Sequence, residues 1–375
     1  MRYALALLIL VHGIAHSAGF AVFWRLITVP ELPYRTTVLR NRLDLGHRGI
    51  RVYGLVWLLL AVGLVVVASG VVLRSAWWLP TLTILTLVSG FFCALGWPDT
   101  RLGVVANVLV VGTVLATFRF GGGSVPVSDG ALEELWEARP AAAKEIFESD
   151  RLRRHPLPAR RYVERVIAPG TPLASKVRLS MDGEIKLDTW HRFRAEQVIS
   201  ESGEFVWAAS TSVYGLPVVG ADRLLQGRGS MNWKLLGLLP VAAAEGPDVT
   251  RSALGRLQAE LVSWLPPFLL GDAVSSSSAE GGPLVLHVDA FGERTDIELS
   301  ADDQGGLRTI RFLRWGNPDG SDHRYEDFGV IVEDEGVFSG FKIPRRIRAG
   351  WFFGTERFDS EGEFLRATIR EAVFR

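Results

Sequence analysis

The chain has 375 residues, 48% of them hydrophobic, and 41 Lys and Arg balance 41 Asp and Glu, but residues 1–120 carry ten Arg, no Lys and three acids (Glu31, Asp44, Asp99), so they are +7 and the rest −7. An acidic second part with no basic cluster beyond short pairs argues against nucleic acid as a partner. The single cysteine, Cys93, excludes an intrachain disulfide framework and any zinc site built on cysteines.

In chain order, residues 4–24 form the first apolar run, interrupted by His12, His16 and Ser17. Arg2 before an apolar run also fits a cleaved leader, but the run continues to Trp24 and more spans follow. Residues 52–73 are 22 residues without a charge. At 1.5 Å per residue they reach about 33 Å, enough to cross a bilayer core. Residues 77–97 are uncharged with tryptophans at both ends, as an interfacial belt would place them. Residues 102–118 are shorter and carry Asn107. Residues 1–120 are therefore expected to be a four-helix transmembrane module.

Arginine placement predicts its orientation. The loop after the first span and the turn before the fourth hold Arg25, Arg35, Arg40, Arg42, Arg48, Arg51 and Arg101, against Arg2, Arg74 and Arg119 on the other side. The richer side is expected in the cytoplasm, which puts both termini outside. The expectation is a multi-pass plasma-membrane protein with an extracytoplasmic C-terminal domain. Arg outnumbers Lys 36 to 5, which we read as a GC-rich bacterial genome.

His12 and His16 lie four apart and share one helix face. They are the candidate metal or haem ligands, or a proton relay, to be completed by Asn107 or Cys93 on another helix. The plainer alternative makes Gly13 and Ser17 a small-residue packing face, with both histidines bonding across to neighbouring helices. Asp99, after Trp97-Pro98, is expected to cap the fourth helix. No other cofactor is implied.

This module resembles the DoxX-like four-helix bacterial membrane proteins, through His12-Gly13, His16, Gly19-Phe20 and the Gly96-Trp97-Pro98-Asp99-Thr100-Arg101 turn. The resemblance implies a link to quinone or thiol redox chemistry in some members, and the lone membrane cysteine, Cys93, does not support the thiol part.

Residues 121–150 are expected to be a linker and a helix. Gly121-Gly122-Gly123-Ser124 and Pro126 make a flexible exit, and 129–150 have helical composition, followed by a short helix over 157–168. Residues 151–375 then change period. Val177, Leu179 and Met181 alternate with polar residues, which reads as a half-buried strand, and Phe205, Trp207 and Ala209 repeat the spacing on a more apolar segment. Leu284, Leu286, Val288 and Ala290 face one way, Phe291-Gly292-Glu293 turns the chain, and Thr295, Ile297 and Leu299 face back. Further strands are expected over 189–200, 218–225, 230–236, 307–315, 325–332, 340–347 and 363–374.

One strong helix interrupts them. Asp248 is expected to cap it, Leu254, Leu257, Leu261 and Trp264 form its apolar stripe, and Pro266-Pro267 ends it. Ser275 to Ser278 and Gly281-Gly282-Pro283 read as a solvated loop, and Asp322-His323-Arg324-Tyr325-Glu326-Asp327 as a charged turn. Many strands with few helices predict an α+β domain: a large, curved antiparallel sheet with helices on one face.

The chain has no G-x-S-x-G, H-E-x-x-H, Walker loop, G-x-G-x-x-G or EF-hand spacing. His287 and Asp289 can face Asp296 and Glu298 in a His/carboxylate cluster, although a solvated polar face is the simpler account. Tryptophan is the more informative signal. Trp190, Trp207, Trp233 and Trp264 are the candidate lining of an apolar site inside the sheet.

Leu157-Pro158, Phe205-x-Trp207, Asp222, Gly227-x-Gly229, Arg251, Glu260, Pro266, Tyr325, Gly329 and Ile343-Pro344 together resemble a widespread bacterial domain of unknown function covering about residues 150–375. That resemblance transfers no catalytic role. Its order of sheet and helix is similar to carriers that bind lipoprotein acyl chains, an analogy of fold.

The expected function is thus a membrane anchor whose extracytoplasmic domain binds an apolar or lipid-like ligand at the bacterial envelope. The partners are the bilayer and a lipid or apolar small molecule, and an enzyme is the less favoured reading. One alternative is a membrane redox or transport component with a metal or haem at the first helix and a membrane protein partner. Another is an envelope hydrolase using an acid pair or His287.

Overall fold

A computed structural model of the chain describes residues 2–75, 77–120, 129–138, 145–154, 156–278 and 282–375. The glycine-rich linker expected from Gly121 to Pro126 lies outside them. The chain forms two compact units, one built on the apolar helices and the other on Asp129–Thr211, Val219–Lys234 and Pro240–Arg375.

The first unit contains α1 (Arg2–Phe23), the two-residue strands β1 (Thr37–Val38) and β2 (Leu43–Asp44), α2 (Gly46–Leu73), α3 (Trp78–Leu95) and α4 (Arg101–Phe120). All four helices are long and apolar enough to cross a membrane. Each packs on the next and α4 returns to α1, which makes a four-helix ring. Their outer faces carry large apolar side chains such as Leu59, Leu87 and Val108, which are 69%, 70% and 65% exposed. Apolar surface on that scale needs an apolar surrounding.

On α1 the buried face runs through Ile9, His12, Gly13, His16, Gly19 and Phe23. A Cβ on Gly13 would stand 3.0 Å from Leu64 Cβ, and one on Gly19 would enter the Trp57 ring, so α1 and α2 close on these two glycines. Ser17 does not share that face as expected. It falls one residue past His16, is exposed, and donates to Ile14 O at 2.6 Å. Asp99 is not the cap of α4 either. It pairs with Arg35 at 3.4 Å, which sets the loop after α1 and the turn before α4 at one end of the bundle. The first turn of α4 is held by backbone acceptors instead: Arg101 N–H donates to Pro98 O and Gly103 N–H to Thr100 O.

The second unit opens with α5 (Gly130–Glu137), capped by Asp129, whose carboxylate accepts from Ala131 N–H at 2.9 Å. A 3-10 turn at Ser149–Arg154 and α6 (Leu157–Val166) follow. The first run of strands is β3 (Lys176–Lys186), β4 (Trp190–Ser200), β5 (Glu204–Val213), β6 (Leu216–Leu225), β7 (Arg228–Leu235) and β8 (Leu239–Glu245). After α7 (Pro247–Trp264) come β9 (Val274–Ser278), β10 (Leu284–Ala290), β11 (Glu293–Ala301), β12 (Leu307–Gly316), β13 (Arg324–Phe338), β14 (Phe341–Trp351) and β15 (Glu363–Phe374).

Thirteen strands form one sheet in the order β8-β7-β6-β5-β4-β3-β15-β14-β13-β12-β11-β10-β9. It consists of two meanders, joined where the C-terminal strand β15 runs antiparallel to β3. Tight turns make the meanders. In Gln226-Gly227 and Phe291-Gly292 both residues are left-handed, the geometry that matches strand twist in a two-residue hairpin.

The sheet must curve. From β6 to β11 is eight strand steps, roughly 38 Å if flat at ~4.8 Å per step, whereas a helix with side chains is about 10–12 Å wide. Yet α7 touches both ends. Arg256 reaches Asp222 on β6, and Gln258 Nε2 donates to Ala290 O and Glu293 O at the β10–β11 turn. The sheet therefore wraps α7. The helix buries Leu254, Leu257, Leu261 and Trp264 in the same core as Val163 and Val166 of α6 and the inward residues of the strands.

Helices are expected on one face, and α6 and α7 obey this. α5 does not: it packs Leu132 and Leu135 on Val198, Val206, Ala208 and Ala221, the other face of β4–β6. Those strands are apolar on both faces, so the outer face needs its own cover.

Three local expectations change. Ser275 to Ser278 form strand β9, not a loop, because the edge of β10 offers a ladder that serine's turn preference does not outweigh. Asp248 is not the cap of α7. Gly246, at φ 115°, takes that place before Pro247, and Asp248 accepts from Trp315 Nε1 at 2.9 Å. The charged stretch from Asp322 is a turn only up to His323. β13 starts at Arg324, where Tyr325 pairs with Trp315.

Candidate functional site

Between α7 and the concave face of the sheet lies a cavity of about 170 Å³. Strand alternation builds its wall. Ile310, Phe312 and Arg314 on β12 point inward, with Phe328 and Val330 of β13 paired beside Phe312 and Ile310. Met181, Ile347 and Leu365 extend the apolar wall across β3, β14 and β15. Trp207 and Trp264 also line it.

The polar lining is a short list with definite partners. Arg256 Nε donates to Glu260 Oε1 at 2.7 Å and its Nη1 to Asp222 Oδ2 at 3.2 Å. Glu260 also accepts from Gln197 Nε2 at 2.5 Å, and Asp222 from Trp233 Nε1 at 3.2 Å. The Arg256 guanidinium lies over Phe205 and Trp207, 4.7 and 5.4 Å from their ring centres. Both carboxylates are therefore engaged.

Arg314 is not matched in this way. Its Nε donates to Ser252 O at 3.3 Å, and its guanidinium lies 4.8 Å from the Phe328 ring centre and 5.2 Å from that of Trp351. Among the described residues no carboxylate pairs with it. The carboxylate opposite it across the strand pair, Glu326, accepts from Arg324 at 2.9 Å. Burial, reinforced by the positive charge of Arg256, pulls the Arg314 pKa down to about 10, against the pull of Glu260 and Asp222.

Of the four expected tryptophans, two line the cavity. Trp233 stands behind Trp207, ring centres 5.8 Å apart. Trp190, at the start of β4, carries the Arg366 guanidinium 4.2 Å over its ring and stands outside the lining. Trp264 donates Nε1 to Pro344 O at 3.1 Å. Sequence reading missed Arg256 and Arg314 as site residues. The available signal for the first was Arg256 and Glu260 at i, i+4 on a helix with an apolar stripe.

His12 and His16 are buried in the first unit, rings 4.5 Å apart. They join a directional network. His12 Nε2 meets Asn107 Oδ1 at 3.3 Å, Asn107 Nδ2 donates to Ser89 Oγ at 2.8 Å, and Ser89 Oγ meets His16 Nε2 at 2.8 Å. If His12 carries its proton on Nε2, Ser89 is left free to donate to an unprotonated His16 Nε2. Among the described residues no group of three or more His, Cys, Asp or Glu is placed to hold a metal ion.

Of the expected His287, Asp289, Asp296 and Glu298 cluster, the structure joins His287 and Asp296 and adds Ser277. His287 Nδ1 meets Asp296 Oδ1 at 2.8 Å and its Nε2 meets Ser277 Oγ at 2.8 Å, across β9, β10 and β11. The inward side chains of β10 are Leu286 and Val288, so the trio lies on the outer face.

Solved structures with similar folds include a DUF1329 family protein from Desulfovibrio piger, at 10% identity and TM-score 0.31 over 58% of this chain and 90% of that one. A LolA superfamily protein from Nitrosomonas europaea is similar at 8% identity and TM-score 0.32 over 57% of this chain and 91% of that one. Likeness at these scores says nothing about a ligand. No curated protein matches the sequence. A family model matches the chain from residue 145 onward and leaves the DoxX-like resemblance of residues 1–120 unsupported. Matched over residues 145–360, more than half its length, the chain belongs to the family of unknown function DUF6544.

Proposed function

We propose that this is a membrane-anchored binding protein whose sheet domain takes an apolar or lipid-like ligand into the cavity beneath α7. The observation that carries the reading is the cavity itself, about 170 Å³ of largely apolar space inside a wrapped sheet, with Trp207 and Trp264 in its wall. Concave apolar sites with a few placed polar groups are the usual form of small-molecule sites. Four spanning helices with the arginine-rich loops in the cytoplasm would put this domain outside the membrane. Trp207 and Trp264 are the expected ligand contacts, with Trp233 packed behind Trp207.

The test uses the full chain in its membrane. Cells expressing it are fed a fatty acid carrying a photoactivatable diazirine, irradiated, and the labelled peptides mapped. Label on the peptides holding Met181, Ile310 or Leu365 is expected. Label confined to residues 2–120 would show that the probe met only the helices, and the reading would fall.

A second reading rests on one observation, the Ser277–His287–Asp296 alignment at 2.8 and 2.8 Å. That order of groups can activate a serine for acyl transfer. A fluorophosphonate that labels Ser277 in the wild type and not in His287→Ala would support a hydrolase. Unlabelled Ser277 leaves the trio a cross-strand polar ladder.

A further inference from the structure

Resting on that reading, we propose that the ligand is a single-chain amphiphile with an acidic head, and that Arg314 holds the head while the chain lies along the apolar wall. The assignment starts from Arg314's unmatched hydrogen-bonding capacity. A guanidinium has five N–H donors, and among the described residues the hydrogen bonds of Arg314 use Nε alone, on Ser252 O at 3.3 Å. The Phe328 and Trp351 rings, edge-to-face with centres 5.1 Å apart, flank the group at 4.8 and 5.2 Å without satisfying its N–H groups. Arg314 is half-buried, and a cation turned from water towards an apolar wall is costly unless paired and hydrogen-bonded.

The other charged groups of the cavity do not supply that partner. Asp222 and Glu260 both turn to Arg256, and each has a second donor in Trp233 or Gln197. Glu326 is held by Arg324. An entering carboxylate or phosphate monoester would give Arg314 the two parallel N–H···O bonds that the guanidinium fork favours. The two carboxylates oppose an anion, but they also hold Arg256 and keep it from competing for it.

The size of the cavity limits the tail. At about 170 Å³ it is smaller than the ~300–1,000 Å³ of sites for drug-sized ligands, which suits one chain and not the two of a phospholipid. The apolar wall from Ile310 to Leu365 follows directly from Arg314 along the same inward row of β12 and across β13 and β14, so head and chain have adjoining surfaces.

The experiment compares three diazirine probes with the same alkyl chain, ending in a carboxylate, a phosphate monoester or an alcohol, on the full chain in membranes. We expect the cavity peptides to take at least about tenfold more label from an acid probe than from the alcohol, the minimum for a loss near 1.4 kcal/mol. Whichever acid labels more strongly identifies the head. Arg314→Gln should bring acid and alcohol to the same level, and Arg314→Lys, which keeps the charge, should retain part of the preference. Equal labelling of the wild-type cavity by acid and alcohol overturns the acidic head while the apolar site stands. No cavity label from any probe overturns the site. A preference unchanged in Arg314→Gln overturns the role of Arg314.

Discussion

Arg256 and Glu260 stand one turn apart on α7 and meet at 2.7 Å, so that the helix carries its own counter-ion into the concave side of the sheet. Asp222 on β6 takes the remaining edge of the guanidinium at 3.2 Å. Packing puts charges where solvent screening is weak, and pairing makes that tolerable. The pairing also ties α7 to the first meander.

Arg256→Met should therefore cost about 3 kcal/mol of domain stability, because it leaves two carboxylates without their cation. Arg256→Met combined with Glu260→Met should cost less than the sum of the single changes, since the members share one network. Thermal melting of the full chain in detergent micelles, followed by near-ultraviolet circular dichroism, reads both. Additive losses would show that the contact contributes little.

The pH dependence of the domain should carry the mark of Glu363. This buried carboxylate is 2% exposed at the head of β15 and accepts from Arg348 at 2.6 Å and from Arg366 at 2.6 Å. Burial alone would raise its pKa, but the two guanidinium groups overcome that and bring it down to about 2. A carboxylate depressed in the folded state stabilises it above the unfolded value, near 4.3, and loses that contribution as pH falls towards 2. At neutral pH the effect is on the order of 3 kcal/mol. Melting midpoints of the wild type should drop between about pH 4.5 and 2, and Glu363→Gln should lower the neutral midpoint and flatten that drop. An identical acid limb in both proteins would remove Glu363 as its source.

Much of the sheet was legible because its strands obey a period of two and its turns carry glycine. The 284–299 hairpin, the strand around Trp207 and the α7 stripe can all be read from local pattern. What could not be read is set by distant parts of the chain. β9 is a strand only because β10 gives it an edge, and α5 covers the outer face only because β4–β6 are apolar on both sides. The site shows the same limit. Aromatic content pointed to Trp190, Trp207, Trp233 and Trp264, of which two line the cavity, whereas Arg314 looks like any strand arginine until the cavity lining shows that, among the described residues, no carboxylate pairs with it.

Gly229 offers a test of how closely the sheet wraps its helix. A Cβ there would stand 2.6 Å from Thr250 Cα and 2.8 Å from Val249 O, both backbone of α7. Backbone cannot swing aside as a side chain can, so Gly229→Ala should move β7 off the helix and destabilise the domain by about 1–3 kcal/mol. Gly130→Ala, at a position with open space around it, is the matched control. Faster amide exchange over β7 and the first turn of α7 in the Gly229 variant, with the control unchanged, is the expected result. Equal protection in both would mean that the strand and the helix are not held in contact.

In the helix bundle, Asn107 is the residue on which the polar network turns. Its side chain meets His12 at 3.3 Å, Ser89 at 2.8 Å and the Gly103 carbonyl at 2.9 Å, so three groups lose a partner if it goes. Asn107→Leu keeps the number and branching of the side-chain heavy atoms and removes every polar contact. The cost should be about 1–3 kcal/mol, that of leaving buried polar groups unsatisfied. Leu109→Ala, on the outward face at 54% exposure, should stay within about 0.5 kcal/mol. Heating both proteins in the same detergent and following the loss of the monodisperse peak on gel filtration separates them. If Asn107→Leu melts with the wild type, the four helices are held by apolar packing alone and the histidines gain nothing from their neighbours.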